Sequence, residues 1–341
     1  MIKKLLVAFI IIFLITIGSV GTYVTSYLNK TYDGDNMNFV VENGDTFGKI
    51  NQRLFNQGLI SNTRFFHYLA KYKKVMTKFK AGSYTIAKGS TMSDVLNTLV
   101  YGQANLTSVT IPEGKNMYEV AKLLEAAGVT KEKDFLEIIQ SREFISQFNI
   151  SADSLEGYLY PETYRFVPNS TAKLVAKTML DLFNKKTEQI NFSHPFLDKH
   201  QVIILASMVE KETGAKTERP SIAGVFTNRL KKRMRLESDP TTIYGIWSRY
   251  TGNIKKSDLL EVTPYNTYKI PALPKGPISN PSLEAIQAVL SPENHEFLFF
   301  VSRNDGTHVF TKNYGEHVQA VDSFQKNSGA RKGKSWRDLK Q

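Results

Sequence analysis

The sequence QVIILASMVEKETG, residues 201–214, marks the point where a buried part of the chain meets a charged one. From Val202 to Val209 every residue except Ser207 is apolar, which predicts a helix buried on all sides. Glu210 and Glu212 follow directly. A carboxyl group at the end of a buried helix is partly desolvated, which raises its pKa and allows it to act as a general acid near neutral pH. The two glutamates lie about 200° apart on a helix, so only one of them faces a given cleft, and their spacing does not identify which. Two surface glutamates at a helix end are the alternative.

Two polar motifs downstream contain candidate substrate-binding residues. Asp239 stands in Ser-Asp-Pro-Thr after a basic segment, a position typical of a cap or turn residue. Tyr265, Asn266 and Thr267 stand in TPYNTY, whose polar side chains either hold an acetamido group or a developing cation, or only form a turn.

Upstream, the segment LEGYLYPETYRFVP, residues 155–168, carries three tyrosines and a phenylalanine between two prolines and two glutamates. Aromatic rings with polar tips line carbohydrate clefts, which makes Tyr160 a candidate contact for a sugar, but they also form ordinary cores. Glu156 and Glu162 are candidates for a second cleft carboxylate, with peripheral ion pairing as the favoured interpretation.

The N-terminus predicts the compartment. Leu5 to Val24 is a run of 20 residues without a charge, long enough as a helix to cross a bilayer. Lys3 and Lys4 precede it, which predicts a cytoplasmic N-terminus and a single-pass protein of the inner (cytoplasmic) membrane with the rest of the chain exported. A cleaved signal peptide is the alternative, although the run is longer than a usual signal core. Export excludes nucleic acid as a partner and leaves membrane lipid as one.

The composition and the motifs exclude several kinds of chemistry. The chain has 341 residues, a formal charge of +12 and no cysteine, so disulfides and thiolate chemistry are excluded. No HExxH or phosphate-loop motif is present, and we expect no metal and no cofactor. Five cations between Arg229 and Arg235 predict a solvated basic face. The tail at residues 326–341 carries six basic residues and one acid, which predicts a basic flexible end.

A strand–turn–helix pattern occurs three times between residues 41 and 130. Aligned on Gly44, Gly89 and Gly114, each copy has an aliphatic residue six places on and a leucine ten places on, followed by a second glycine. This spacing predicts a short strand, a turn at glycine, and an amphipathic helix closed by a glycine. Two copies with the returning strand FKAGSYTIAKG form a βααβ module that resembles a LysM domain, a binder of N-acetylglucosamine polymers; a spacer without a sugar site is the alternative.

Mixed short strands and helices predict an α+β fold. We expect a cytoplasmic N-terminus and transmembrane helix at residues 1–28, a linker at 29–38 and the LysM-like module at 39–105. A third repeat unit with a connector follows at 106–150, and an α+β catalytic domain occupies 151–325. Within it a polar helix is expected at 172–186, and Asn304-Asp305-Gly306 predicts a β-hairpin whose His308 is structural rather than catalytic.

The strings ASMVEKET, VFTNRL, RLESDPTTIYG, PYNTY, GPISNPS and HVFTKNYGEH, in this order, resemble the YceG-like family. The resemblance implies an endolytic lytic transglycosylase of peptidoglycan, which cleaves the β-1,4 bond between N-acetylmuramic acid and N-acetylglucosamine without water and leaves 1,6-anhydro ends. It also implies that Glu212, the second glutamate of Glu-Lys-Glu-Thr, is the catalytic acid, and it makes Asp239 a candidate carboxylate of the cleft, with the cap or turn role as the alternative. Peptidoglycan strands are the implied substrate, and peptidoglycan synthases or division proteins are further candidate partners.

Two other functions stay open at this point. One is a non-catalytic peptidoglycan-binding scaffold, in which Glu212 is only structural. The other is a murein glycosidase that pairs Glu212 with a second carboxylate.

Overall fold

The computed structural model describes residues 2–42, 44–212 and 214–326; the predicted basic tail lies, from residue 327 on, outside them. The fold is mixed α+β and mostly helical with small sheets, as predicted. It divides into two compact units, of which the first contains residues 1–108 and 165–170 and the second contains residues 109–164 and 171–341.

The first unit contains four helices and two strands: α1 Ile2–Leu28, β1 Met37–Val41, α2 Phe47–Asn56, α3 Thr63–Tyr72, β2 Gly82–Ile86 and α4 Met92–Tyr101. Strands β3 Thr107–Thr110 and β4 Thr163–Phe166 pair with each other, and the division between units passes through this pair. The second unit contains α5 Met117–Ala126, α6 Glu132–Ile139, α7 Arg142–Ile145, α8 Ala172–Thr187, α9 Lys199–Glu212, α10 Arg219–Lys231, α11 Asp239–Gly245, α12 Lys256–Leu260, α13 Leu283–Leu290, β5 Phe299–Ser302, β6 His308–Thr311 and α14 Tyr314–Val321.

The three strand–turn–helix copies form as the glycine spacing predicts. Gly44, Gly89 and Gly114 have φ of +86°, +81° and +74°, a left-handed conformation that a residue with a Cβ rarely adopts. The helix of each copy then begins with a hydrogen-bonding cap, at Thr46, Thr91 and Asn116.

The apolar positions six and ten places after each glycine are buried, namely Ile50, Leu54, Val95, Leu99, Val120 and Leu124. The closing glycine differs among the copies. Gly58 and Gly128 have positive φ and end their helices with the paired hydrogen bonds of a Schellman motif. Gly102 also caps its helix, but it has φ −67° and continues into extended chain rather than a left-handed turn.

In the first unit, β1 and β2 pair antiparallel, with Phe39 opposite Tyr84. The core formed by these strands and helices α2 to α4 includes Phe66 and Leu96. Helix α1 contains the apolar segment Phe9–Leu28, which is long enough to cross a membrane. An N-terminal apolar helix is therefore confirmed.

In the second unit, α9 packs against α10, α11 and α13. All eight residues from Val202 to Val209 are buried, which confirms the predicted buried helix. The predicted helix at 172–186 is α8, and the predicted hairpin is the antiparallel pair β5–β6. His308 Nδ1 lies 2.7 Å from Glu218 Oε2 and links the hairpin to the segment before α10.

Candidate active site

Helix α9 is held in place by a loop that comes from far along the chain. Ser207, in the middle of the helix, accepts a hydrogen bond from the Ile278 N–H at 3.0 Å, and Ser279 Oγ donates to the Ser207 carbonyl at 3.1 Å. These bonds satisfy the polar groups of Ser207 within the apolar stretch Val202–Val209. They also fix the position of the last turn of α9, which carries Glu210 and Glu212.

Glu210 forms a buried ion pair. Its Oε1 accepts from Arg219 Nη2 at 2.6 Å, and its Oε2 accepts from the Ser282 N–H and Oγ at 3.0 and 2.5 Å. Both side chains of the pair are buried. Glu210 therefore joins α9 to the starts of α10 and α13, and its charge is fully compensated.

Glu212 has a different environment, although it is only two residues away. It is half-buried, its Oε1 accepts a hydrogen bond from Ser238 Oγ at 2.5 Å, and it takes part in none of the ion pairs of the described residues. Burial, together with the nearby Asp239 carboxylate, raises the pKa of Glu212 to about 7, although the Ser238 hydroxyl and the Arg229 guanidinium oppose the rise. A carboxyl group with its pKa raised in this way can hold a proton near neutral pH.

Ser238 is buried and is itself held by a group of hydroxyls. Its N–H donates to Thr267 Oγ1 at 3.0 Å, and Thr241 Oγ1 donates to its carbonyl at 2.6 Å. Because the hydroxyl proton of Thr241 is used there, the 2.8 Å contact between Thr241 Oγ1 and Thr267 Oγ1 has Thr267 as its donor. Thr241 and Thr267 therefore hold the main chain of Ser238, whose hydroxyl faces Glu212.

The structure places the predicted residues Asn266 and Thr267 beneath Ser238, where both are fully buried. Asn266 Nδ2 donates to the carbonyls of Asp258, Leu259 and Glu261, and its Oδ1 accepts from Thr242 Oγ1 at 3.0 Å. Both side chains are thus occupied by hydrogen bonds inside the protein, and they stabilise the loop that supports Ser238.

Asp239 is the first residue of α11 and follows the cap residue Ser238. Its carboxylate is exposed and accepts a hydrogen bond from the Tyr268 hydroxyl at 2.8 Å. Burial and the neighbouring Asp239 raise the pKa of Tyr268, which stays a neutral donor. Asp239 is also close enough to Glu212 for its carboxylate to raise the pKa of Glu212.

Glu156 is a second buried carboxyl group, and the interpretation as a peripheral ion pair is wrong for it. It accepts hydrogen bonds from the Met117 N–H at 2.8 Å, the Tyr244 hydroxyl at 2.9 Å and Asn280 Nδ2 at 3.1 Å. Burial raises its pKa to about 8 despite these bonds. Asn280 Oδ1 in turn accepts from the Gly157 N–H, so the carboxyl group joins α5, α11 and the loop before α13.

Tyr160 and Glu162 both lie close to Lys186. Glu162 is exposed and lies 3.8 Å from Lys186 Nζ, which also stands 5.6 Å from the centre of the Tyr160 ring. Glu162 thus forms the peripheral ion pair that was expected, and among the described contacts neither residue bonds to Glu212.

Tyr265 belongs to an aromatic cluster with Tyr118, Tyr244 and Trp247. Its ring centre lies 4.7 Å from that of Tyr244, and Tyr118 stacks on Trp247 at 6.0 Å with 12° between the ring planes. Tyr118, Trp247 and Tyr265 are half-buried, so each presents part of its ring to solvent. Burial raises the pKa of Tyr265 to about 12.

Sequence reasoning missed several members of this site, above all Ser238, Asn280 and the Tyr118–Trp247 pair. Ser238 and Asn280 stand in the motifs RLESDPTTIYG and GPISNPS, and this was the available signal. Within the described ranges, no three His, Asp or Glu side chains come together as a metal site would require.

The basic segment after α10 also differs from the prediction. Arg229 is buried: Nε donates to the Leu298 carbonyl at 2.6 Å, and Nη1 donates to Glu237 Oε2 at 3.0 Å. Helix α10 ends at Lys231, so the remaining exposed cations belong to the helix end and the following loop. The predicted solvated basic face is therefore correct for the four exposed cations and wrong for Arg229, whose guanidinium donates to oxygens inside the protein.

The family model of the YceG-like family matches residues 39–323, and the chain belongs to this family. It is 29% identical over 306 residues to the endolytic murein transglycosylase of Bacillus subtilis (strain 168), and the match covers 84% of each chain. It is 31% identical over 316 residues to the endolytic murein transglycosylase of Streptococcus pneumoniae (strain D39), covering 82% of this chain and 57% of that relative. A crystal structure of a yceG-like protein from Listeria monocytogenes is similar with a TM-score of 0.57 and 27% identity, covering 84% of this chain and 98% of the other.

Proposed function

We propose that the protein is an endolytic lytic transglycosylase that cleaves peptidoglycan strands internally, with Glu212 as its catalytic acid and base. The single observation that carries this proposal is the contrast at the end of α9. Glu210 is neutralised by Arg219, whereas Glu212 is half-buried, accepts from the Ser238 hydroxyl and has a pKa of about 7. The names of the relatives supply the substrate, murein.

In the proposed reaction, protonated Glu212 donates its proton to the oxygen of the bond between N-acetylmuramic acid and N-acetylglucosamine. The bond from C1 to that oxygen breaks as positive charge develops at C1. The Glu212 carboxylate then takes the proton of the C6 hydroxyl of the same muramyl residue, whose oxygen attacks C1 and closes the 1,6-anhydro ring. No water is consumed, and Glu212 ends in its starting protonation state.

The surroundings of Glu212 support both halves of this cycle. A carboxyl group with a pKa near the working pH can give and take a proton with similar ease. The fixed Ser238 hydroxyl stabilises the carboxylate that exists between the two steps, and the exposed Asp239 carboxylate is suited to stabilise the cationic C1.

The half-buried aromatic cluster is the proposed platform for further sugar rings. Ser238 is at the start of α11 and Tyr244 is near its end. At 1.5 Å per residue, six residues span about 9 Å, a length that suits one to two sugars. Ring faces bind the apolar faces of sugars, so Tyr118, Trp247 and Tyr265 are suited to hold the strand beside Glu212.

We further propose that α1 is a retained anchor in the cytoplasmic membrane, with the N-terminus in the cytoplasm and the chain after α1 outside. The apolar segment Phe9–Leu28 has the required length, although a signal sequence has the same property. The order β1–α2–α3–β2, with antiparallel strands, supports assignment of the first unit's core as a LysM-like module. Its binding of glycan is part of this proposal.

The proximity of Asp239 to Glu212 favours one second candidate, a murein glycosidase in which Asp239 activates water or attacks C1. The two reactions differ in their products, because hydrolysis adds one water and transglycosylation does not.

The test is digestion of purified peptidoglycan by the full-length protein, followed by mass spectrometry of the fragments. We expect internal cleavage with anhydro-muramyl ends. Glu212→Gln keeps the size of the side chain but cannot transfer a proton, so we expect activity to fall by about 10²–10⁴-fold or more. Glu188→Gln, on an exposed residue at the end of α8, is the matched control and should keep full activity. Ends that carry an added water would identify the glycosidase, and cleavage that survives Glu212→Gln would exclude Glu212 as the catalyst.

A further inference from the structure

The start of helix α3 contacts the end of the apolar helix α1. The Phe65 ring of α3 lies 5.2 Å from the Tyr27 ring and 6.2 Å from the Tyr23 ring of α1, measured between centres. Ser61 Oγ, just before α3, donates to the Tyr27 carbonyl at 3.0 Å. Tyr23 and Tyr27 lie in the last turns of the apolar segment Phe9–Leu28. If α1 crosses the membrane, Phe65 therefore lies at the depth of the lipid headgroups.

Two large side chains continue the same face of α3. Tyr68 and Tyr72 are three and seven residues after Phe65, a spacing that keeps all three within about 60° on a helix. They are 64% and 86% exposed, so the first unit itself leaves this face uncovered. Along the axis of α3, Tyr68 is about 4.5 Å and Tyr72 about 10 Å from Phe65. Whatever the tilt of α3, their depths in the bilayer differ from that of Phe65 by about these lengths at most. A headgroup layer is about 5–7 Å thick on each side of the bilayer, so at least Tyr68 lies within it.

The charge around this face has one sign. Between Asp45 and Asp94 the chain has nine lysines and arginines and no acidic residue. Arg64, Lys71 and Lys74 are exposed on α3 or directly after it. In the described part of the chain, Arg53 is the one cation of this stretch that forms an ion pair. The surface therefore faces solvent with several uncompensated positive charges.

We infer that the exposed face of α3, formed by Tyr68, Tyr72, Arg64, Lys71 and Lys74, binds the outer surface of the membrane and requires anionic lipid. Tyrosine is enriched at the membrane–water interface because its ring is apolar and its hydroxyl is polar. Lysine and arginine are attracted to anionic headgroups within a Debye length. The inference rests on the proposed role of α1 as an anchor, and it adds a second contact that holds the first unit on the bilayer.

Lipid is favoured over a soluble anionic polymer because the α1–α3 contact already places this face at the bilayer. Each cation near an anionic surface contributes about a fivefold preference for the bound state. Replacing three of them is therefore expected to lower the ratio of bound to unbound α3 by roughly 100-fold, while α1 stays in the membrane.

The absence of cysteine allows a direct test on the full-length chain. Single variants Tyr68→Cys and Tyr72→Cys are labelled with a nitroxide in nanodiscs of 70% phosphatidylcholine and 30% phosphatidylglycerol. Accessibility to oxygen, which concentrates in lipid, is compared with accessibility to a water-soluble nickel complex. Thr85→Cys is the matched control, because Thr85 is exposed on the face of β2 opposite to the core against which α3 packs.

We expect the labels at 68 and 72 to favour oxygen and the label at 85 to favour nickel. This preference should decrease severalfold in pure phosphatidylcholine and in the triple variant Arg64→Gln, Lys71→Gln, Lys74→Gln. A nitroxide at Ile15→Cys, within α1, reports the anchor separately. Labels at 68 and 72 that are as accessible to nickel as the label at 85, with position 15 in lipid, would overturn the inference alone. Position 15 in water would overturn the anchor as well. Nickel accessibility that falls only when soluble poly(glycerol phosphate) is added would assign the surface to a wall polymer and overturn the lipid assignment.

Discussion

Removal of the Ser238 hydroxyl tests the proposed chemistry at its most specific point. In Ser238→Ala, Glu212 loses the 2.5 Å hydrogen bond to its Oε1, a bond that favours the charged form of the carboxyl group. A hydrogen bond to a charged group contributes about 1.5–3 kcal/mol, which corresponds to about 1–2 pKa units. We therefore expect the pKa of Glu212 to rise from about 7 to about 8–9.

The consequence appears in the pH dependence of kcat/KM. The first step requires protonated Glu212, so kcat/KM of the native enzyme should fall above pH 7, and that of Ser238→Ala should fall only above about pH 8–9. The variant also loses some positioning of the carboxyl group, which lowers its rate at every pH. The ratio of variant to native kcat/KM removes that effect, and it should rise roughly 10-fold between pH 6 and pH 8.5.

The assay is release of anhydro-muramyl ends from purified peptidoglycan over this pH range. Ser221→Ala is the matched control, because Ser221 bonds to Glu293 and not to the candidate site. The reasoning is refuted if the ratio for Ser238→Ala is independent of pH or falls as the pH rises, since either result means that this hydroxyl does not stabilise the Glu212 carboxylate.

Three further predictions concern stability, each measured by urea unfolding. Burial raises the pKa of Glu156 from 4.5 to about 8, so between these pH values the native state holds a proton that the unfolded state has lost. The free energy of unfolding should therefore fall as the pH rises from 5 to 8, by up to about 1.4 kcal/mol per pH unit. Glu156→Gln should flatten this slope. An unchanged slope would contradict the burial argument. Arg219→Gln leaves the Glu210 carboxylate buried without its cation and should cost about 3–5 kcal/mol, whereas a loss below 1 kcal/mol would mean that water replaces the guanidinium. Gly157→Ala should destabilise by at least about 2 kcal/mol more than Gly128→Ala, since both glycines have positive φ but only at Gly157 would the new Cβ lie 2.7 Å from Pro277; equal losses would show that this loop moves freely.

Much of the local structure was predictable because its causes are close together in the chain. The glycine turns at Gly44, Gly89 and Gly114, and the buried positions that follow them, depend on interactions within about ten residues. Residues 202–209 indicated a buried helix because no face of it carries charge. The exception at Gly102 arises because this helix runs directly into extended chain, a choice that no residue within the helix encodes.

The candidate site was only partly predictable. The sequence could not separate Glu210 from Glu212 by their spacing, and the structural difference between them comes from Arg219, Ser282 and Ser238. Ser238 lies 26 residues and Ser282 72 residues from the glutamate it contacts. Periodicity and turn preferences extend over only a few residues, so they contain no information on such pairs.

Glu156 is a second residue whose surroundings the sequence did not predict. A glutamate next to tyrosines in a polar-looking segment resembles a surface residue, yet it is buried and bonds to Asn280, 124 residues further along the chain. Its burial is possible because Met117, Tyr244 and Asn280 each supply a donor.

The sequence by itself determined an apolar N-terminal helix, an α+β chain with three strand–turn–helix copies, and a pair of glutamates at the end of a buried helix. These follow from hydrophobic periodicity, glycine geometry and the cost of burying charge, all of which act between near neighbours. Only the tertiary structure decided which glutamate is neutralised by an arginine and which faces the Ser238 hydroxyl. That decision depends on side chains brought together by folding, because a pKa is set by the few ångströms around a carboxyl group and not by its position in the chain.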